Sequence, residues 1–258
     1  MLNDFDKGPT KRIARVFAAI PDVSAHSDLF WHDWGPIFYR GLLNSRARVL
    51  VVASDPGPTE RLIGRSLIGD AGQRVQGFLA KLGLNESYVC LNAHAYSLHP
   101  SKFSEGKRLL ADPDLTRWRN RVFGRTTGPA LQAIVAFGSQ AQRAVELWHN
   151  KPDVPVHDIP HPSSRDPEKL ARMWGAAITA LRPVVTPDDS AGHQIANYGT
   201  TLAQADYADI PRGDLPFGTP WWIGRDPPRN GRPDLRQSSV ERSGQDEIHW
   251  TVRSGQRV

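Results

Sequence analysis

Three stretches of this chain end in side chains that can share one chemical task. The run ARVLVVAS at 47–54 leads into Asp55-Pro56-Gly57-Pro58. The run SYVCLN at 87–92 delivers Asn92, followed by Ala93 and His94. The run VPVHDI at 154–159 leads into Pro160-His161-Pro162-Ser163-Ser164-Arg165-Asp166. A carboxylate can orient water or stabilise a cation. An amide offers a donor and an acceptor side by side, which suits the polar edge of a nucleobase. An imidazole can hold the charge that develops on a leaving group. Singly, each is ordinary: Asp-Pro-Gly is a common turn, an asparagine often caps one, and a histidine before proline is often packed or on the surface. Their joint arrival at the ends of three apolar runs points to a site.

Those runs, with AIVAF at 133–137, are rich in Val and Ile and mostly lack in/out alternation. Such runs read as strands covered on both faces, as in a parallel sheet. Helical patterns separate them. Residues 69–82 place Val75, Phe78, Leu79 and Leu82 on one stripe. Residues 139–148 start with Ser139 as an expected N-cap, and 166–181 start with Asp166 as N-cap and Pro167 at the first helical position. The expected fold is therefore α/β: a three-layer α/β/α domain over residues 1–182 with a central four-stranded parallel sheet. Ligands of such folds bind at the carboxyl ends of the strands. After Pro183 the chain becomes dense in Gly, Pro, Asp and Arg. Residues 183–258 read as an extension in which Phe217, Trp221 and Trp222 pack onto the domain, while the polar end from about Arg225 is expected to be mobile.

Composition narrows the function. The formal net charge is +5, a mild basic excess that suits a polyanionic partner. Cys90 is the single cysteine, which excludes an internal disulfide, an iron–sulfur cluster and a multi-cysteine zinc site. The spacings of His26 with His32 and of His94 with His99 fit no metal-ligand motif. No metal and no cofactor are expected. The longest apolar runs fall far short of the roughly 20 residues of a membrane span, and the first residues, MLNDFDKGPTKR, hold no signal-peptide core. A soluble, cytoplasmic monomer is expected.

In its motifs the chain resembles the uracil-DNA glycosylase superfamily over about residues 45–182. A-S-D-P-G-P at 53–58 resembles motif A, and H-P-S-S-R-D at 161–166 resembles motif B, notably that of the single-strand-selective class. G-R-S-L-I-G-D-A-G-Q at 64–73 is similar to a segment of the iron–sulfur-type class, and C-L-N-A at 90–93 to the base-reading strand of the classical class. The resemblance implies that fold and the hydrolysis of the bond joining uracil, or a related damaged base, to DNA. It implies roles residue by residue. Asp55 would orient water and stabilise the cationic sugar, and His161 would donate to the departing base. Asn92 would read the base edge, with Ser54, Pro56, Gly57 and Leu67 forming the rest of the substrate pocket. Ser163, Ser164 and Arg165 would meet the DNA. Three departures stand out. Leu67 replaces an aromatic that stacks on the base, so stacking either comes from elsewhere, with Phe30, Trp31, Tyr96 and Phe103 as candidates, or is weak. Gly57 replaces a bulky residue, implying a roomier pocket and a broader substrate range. The cluster cysteines are absent.

Other readings stay open. Phe30–Tyr39 is core and lid packing or a stacking surface. His94 and Tyr96 line the pocket or pack. The basic run 117–125 is a solvated helix face or a patch facing DNA. The chain could instead act on free nucleosides, or bind DNA without catalysis.

Overall fold

The computed structural model describes residues 5–189, 193–220 and 223–225. Within them, five strands form one mixed sheet: β1 (Tyr39–Gly41), β2 (Val49–Ala53), β3 (Tyr88–Asn92), β4 (Ala133–Phe137) and β5 (Val156–Ile159), in the order β1-β3-β2-β4-β5. The helices are α1 (Lys11–Ala18), α2 (Pro58–Ile63), α3 (Asp70–Lys81), α4 (Phe103–Leu109), α5 (Pro113–Thr126), α6 (Ser139–Glu146) and α7 (Pro167–Leu181). β2 to β5 pair in parallel. The sheet has one strand more than expected, because β1 adds an antiparallel edge against β3, with Tyr39 opposite Leu91. Three residues inside an aromatic run carry too little periodicity to reveal such a strand.

Alternate strand residues point to opposite faces, and each face has its own core. Leu50, Val52, Val89, Leu91, Ile134 and Ala136 pack with residues of α1, α5 and α6. Val49, Val51, Cys90, Val135 and Phe137 pack with residues of α3 and α7. The apolar stripe of α3 is fully buried, and Phe78, Phe137 and Trp174 meet edge to face with centroids 5.1–5.8 Å apart. Asp166 caps α7 by accepting from Lys169 N–H at 2.9 Å. Gly138, not Ser139, is the N-cap of α6: its φ of 84° lets the chain turn sharply out of β4, and Ser139 is already helical.

The extension lies against the α3 side of the domain, held by three aspartates that meet three domain cations. Asp188 pairs with Arg48, Asp206 with Lys81, and Asp214 with Arg40. Gly77 of α3 makes room for it, since a Cβ there would fall 1.8 Å from Asp206 O. Leu215, Ile210 and Ile223 bury against Ile68. Phe217 departs from expectation: it is 83% exposed, with an edge-to-face contact to Phe5. Trp221, Trp222 and the stretch after Arg225 lie outside the described residues.

The Arg40 pair is the most buried of the three. One guanidinium nitrogen donates to Asp214 Oδ2 at 2.8 Å and to Gln76 Oε1 at 2.7 Å, and Tyr88 O–H donates to the same carboxylate oxygen at 2.7 Å. Removing one partner of a buried pair strands the other charge. Asp214→Ala is therefore expected to destabilise the protein by about 3–5 kcal/mol in denaturant unfolding. A loss under about 1 kcal/mol would show that the pair does not hold the extension in place.

Candidate functional site

The carboxyl ends of β2 and β5 open onto a cavity of about 730 Å³. Asp55, Pro56 and Gly57 line it from the loop after β2, and His161, Ser163, Ser164 and Arg165 from the loop after β5. Leu67 lines it from the loop before α3. Eight of the ten residues singled out in the sequence thus share one cavity. The other two are not among its lining residues. Ser54 is buried, with its carbonyl accepting from His94 N–H at 3.0 Å. Asn92 is half-buried in register with Ala53, its Nδ2 donating to Ser66 Oγ at 3.2 Å and its Oδ1 without a partner.

Asp55 sits where the β2 backbone leaves the sheet. Its carboxylate accepts from Leu98 N–H at 2.9 Å. Burial pushes its pKa up to about 6, against the pull of that hydrogen bond, and the nearby Glu60 charge adds to the rise. Asp55 is thus ionised at neutral pH yet poised to take a proton.

His161 reaches the cavity across the end of β4, and Gly138 makes the space: a Cβ there would fall 2.9 Å from His161 Cβ. Ser163 N–H donates to His161 Nδ1 at 3.1 Å. An imidazole that accepts at Nδ1 carries its proton on Nε2, so the ring offers a donor. Burial, and then the Arg74 charge, lower its pKa to about 4. The ring is neutral at neutral pH. Its loop is pinned twice, by Trp174 Nε1–H on Pro160 O at 3.0 Å and by Arg74 on Pro162 O at 2.6 Å. The amino end of α7 follows at Pro167, beside the exposed Ser163 and Arg165; its first turn is already served by carboxylates, Asp166 accepting from Lys169 N–H and Glu168 lying next to it.

The 64–73 segment is explained by close packing. Gly64 ends α2 in the left-handed conformation, φ 72°. Leu67 also has φ 54°, rare for a side chain with a branched end. Gly72 lets that turn sit on α3, since a Cβ there would overlap Leu67 O. The brace is Glu60, which sequence reading missed: its carboxylate accepts from Gly57 N at 3.0 Å, Ile68 N at 2.8 Å and Gly69 N at 3.0 Å. One acid thereby joins the loop of Asp55 to the loop of Leu67. It also revises the reading of Gly57, whose missing Cβ would lie 2.8 Å from Glu60 Oε2. The glycine makes room for the brace before it makes room for a ligand. The only signal for Glu60 was its place three residues after Gly57, where a first-turn carboxylate reaches back to the start of its helix.

Among the candidate aromatics, Trp31 lines the cavity. Phe30 is buried against His94 and Tyr96, and Phe103 is 43% exposed elsewhere. Trp34, from the same aromatic run though not singled out in it, lines the cavity too and stacks on Trp31 with centroids 5.6 Å apart and planes 12° from parallel. Segment 30–37 is laid along the loop after β3 by backbone bonds, Trp31 N–H to Ser97 O and Ile37 N–H to Ala95 O. His94 is a packed residue: its Nε2 meets Gln140 Oε1 at 3.2 Å, and burial lowers its pKa to about 4. Tyr96 packs against His32.

Among the described residues, no group of three His, Cys, Asp or Glu side chains could hold a metal ion, and no helix is long and apolar enough to cross a membrane. The chain matches no family model and no curated relative. The cavity thus combines an ionised acid, a neutral donor and a stacked indole pair. That set can stabilise a cation, protonate or hydrogen-bond a leaving anion, and hold a flat ring.

Gly138→Ala tests the positioning of His161. With φ 84° and an approach to His161 of 2.9 Å, an alanine is expected to cost about 1–3 kcal/mol and to push the imidazole toward solvent. Its pKa, followed by NMR, should rise from about 4 toward the ordinary 6.5. An unmoved titration would mean that Gly138 does not seat the ring.

Proposed function

We propose that this chain is a DNA glycosylase of the uracil-DNA glycosylase type, working in the cytoplasm without metal or cofactor and hydrolysing the bond between uracil, or a related damaged base, and deoxyribose. The observation that carries this reading is that Asp55 and His161 line one cavity in complementary states, acid ionised and imidazole neutral with its proton on Nε2.

In the proposed reaction the target nucleotide leaves the stack and its base enters the cavity. The N-glycosidic bond breaks and the bonding pair leaves with the base. His161 Nε2–H donates a hydrogen bond to uracil O2 and holds the resulting anion without giving up its proton. Asp55 stabilises the cationic sugar, orients a water onto the anomeric carbon and takes its proton. The base is protonated from solvent, and an abasic site remains. Asn92 does not line the cavity as it stands; to read the base its amide would leave Ser66 and turn inward, so that Oδ1 accepts uracil N3–H and Nδ2 donates to O4. Trp31 and Trp34 supply the flat apolar surface that Leu67 cannot. Ser163, Ser164 and Arg165 suit a DNA phosphate.

Asp55→Asn is the decisive variant. It keeps an acceptor for Leu98 N–H but loses the charge, so excision from a uracil-containing oligonucleotide should fall by orders of magnitude with DNA affinity largely kept. Wild-type activity should fall below about pH 6 as Asp55 takes up its proton. The same variant should be the more stable protein at pH 7. The native carboxyl titrates near 6 against an ordinary 3.8, so between those values the native state holds the extra proton and stability falls as pH rises. The amide escapes that loss, and its advantage, up to about 3 kcal/mol, should vanish below about pH 4. Full excision by the variant would refute the assignment.

Asn92→Asp should lose its preference for uracil on a panel of oligonucleotides that each hold one modified base. An unchanged preference would remove Asn92 from base reading.

A further inference from the structure

A second concave surface lies on the other helical layer. α5 and the loop 147–150 after α6 enclose a groove of about 760 Å³ that shares no residue with the cavity at the strand ends. Arg117, Arg121 and Arg125 recur every four residues, which places them on one face of α5 about 6 Å apart along its axis. All three are exposed and line the groove, joined by His149 from the opposite wall. No carboxylate lines it. Arg117 spends part of its charge on Asp114 at 2.7 Å, between two well-exposed side chains, whereas Arg121 and Arg125 have no ion pair among the described residues. The opposite wall is fixed, because Asn120 Nδ2 donates to Leu147 O at 3.1 Å.

Gly124 gives independent support. It lies inside α5 between Arg121 and Arg125 and lines the groove. Glycine weakens a helix interior more than any residue except proline. Of the other helix glycines, Gly72, Gly77 and Gly106 answer to packing, since a Cβ there would strike a neighbour, and Gly175 of α7 faces Asn197 at an ordinary contact distance of 3.5 Å. At Gly124 it would meet nothing within 4 Å. No packing among the described residues requires this glycine, and its effect is to leave the groove floor bare between two cations.

We propose that this groove is a second nucleic-acid site, which takes the phosphodiester backbone of one strand with its phosphates at Arg121 and Arg125 and the strand lying close over Gly124. Three cations in a line match a repeating anion better than a single phosphate. The site would add affinity that is independent of base identity, and its existence does not depend on the chemistry of the cavity.

The test is fluorescence anisotropy of the full chain with a labelled single-stranded oligodeoxynucleotide free of uracil, titrated at several salt concentrations. Two variants are compared with wild type: Arg121→Glu with Arg125→Glu, and Gly124→Leu. The charge reversal is expected to weaken binding at least about tenfold and to lower the slope of log affinity against log salt by about 1.4, roughly 0.7 for each phosphate left without its arginine. Gly124→Leu removes no charge and improves the helix, so it should unfold at a higher temperature and still bind about tenfold more weakly because the floor is filled. Unchanged affinity and salt slope in the charge-reversed protein overturn the proposal. So does weaker binding with an unchanged slope. In a further arm, inorganic polyphosphate should compete more weakly per charge than the oligonucleotide; the reverse order overturns the assignment to nucleic acid.

Discussion

One backbone hydrogen bond orders the chemistry of the site: Ser163 N–H to His161 Nδ1. It decides which ring nitrogen keeps the proton, and so whether the cavity meets a donor or an acceptor. The bond forms because Pro160 and Pro162 are held from behind by Trp174 and Arg74, and because Gly138 leaves the end of β4 bare enough for the ring to cross it. Arg74 acts twice. It fixes the loop carbonyl, and its charge helps keep the imidazole neutral. On the facing wall, burial holds Asp55 at the upper edge of the carboxylate range. The two groups are tuned in opposite senses by one cause, the loss of water at the sheet edge.

The floor beneath them depends on packing far from either. Loop 64–69 is shaped by the Glu60 brace and the Gly72 gap, and Ile68 at its centre is buried against Ile210, Leu215 and Ile223 of the extension. The extension is held down by aspartates that neutralise Arg40, Lys81 and Arg48. It is thus part of the scaffold that positions the cavity, and this gives Asp188, Asp206 and Asp214 a physical role.

Much of this was legible in the residue order. Four parallel strands, their helices and the shared address of Asp55 and His161 follow from apolar runs and the residues that end them. What escaped was local or non-periodic. β1 is too short to show a pattern, and its partner strand is 47 residues or more away. Ser139 looks like an N-cap because its type is right, but the turn out of β4 needs a positive φ that only Gly138 offers cheaply. Glu60 and Trp34 join the cavity through tertiary interactions that leave no mark at short range. Asn92 stands at the expected strand end with its amide drawn to Ser66, a partner that only the fold supplies. Phe217 remains exposed although its neighbour Leu215 is buried, because the chain turns at Gly218, φ 82°.

The central claim is that a neutral donor and an ionised acid face the same cavity. Long-range proton–nitrogen NMR of the wild-type imidazoles at neutral pH reads it most directly. The account predicts that His161 carries its proton on Nε2, with Nδ1 unprotonated, and stays neutral until near pH 4. A His161 ring protonated at Nδ1, or one that titrates at the ordinary 6.5, would contradict it.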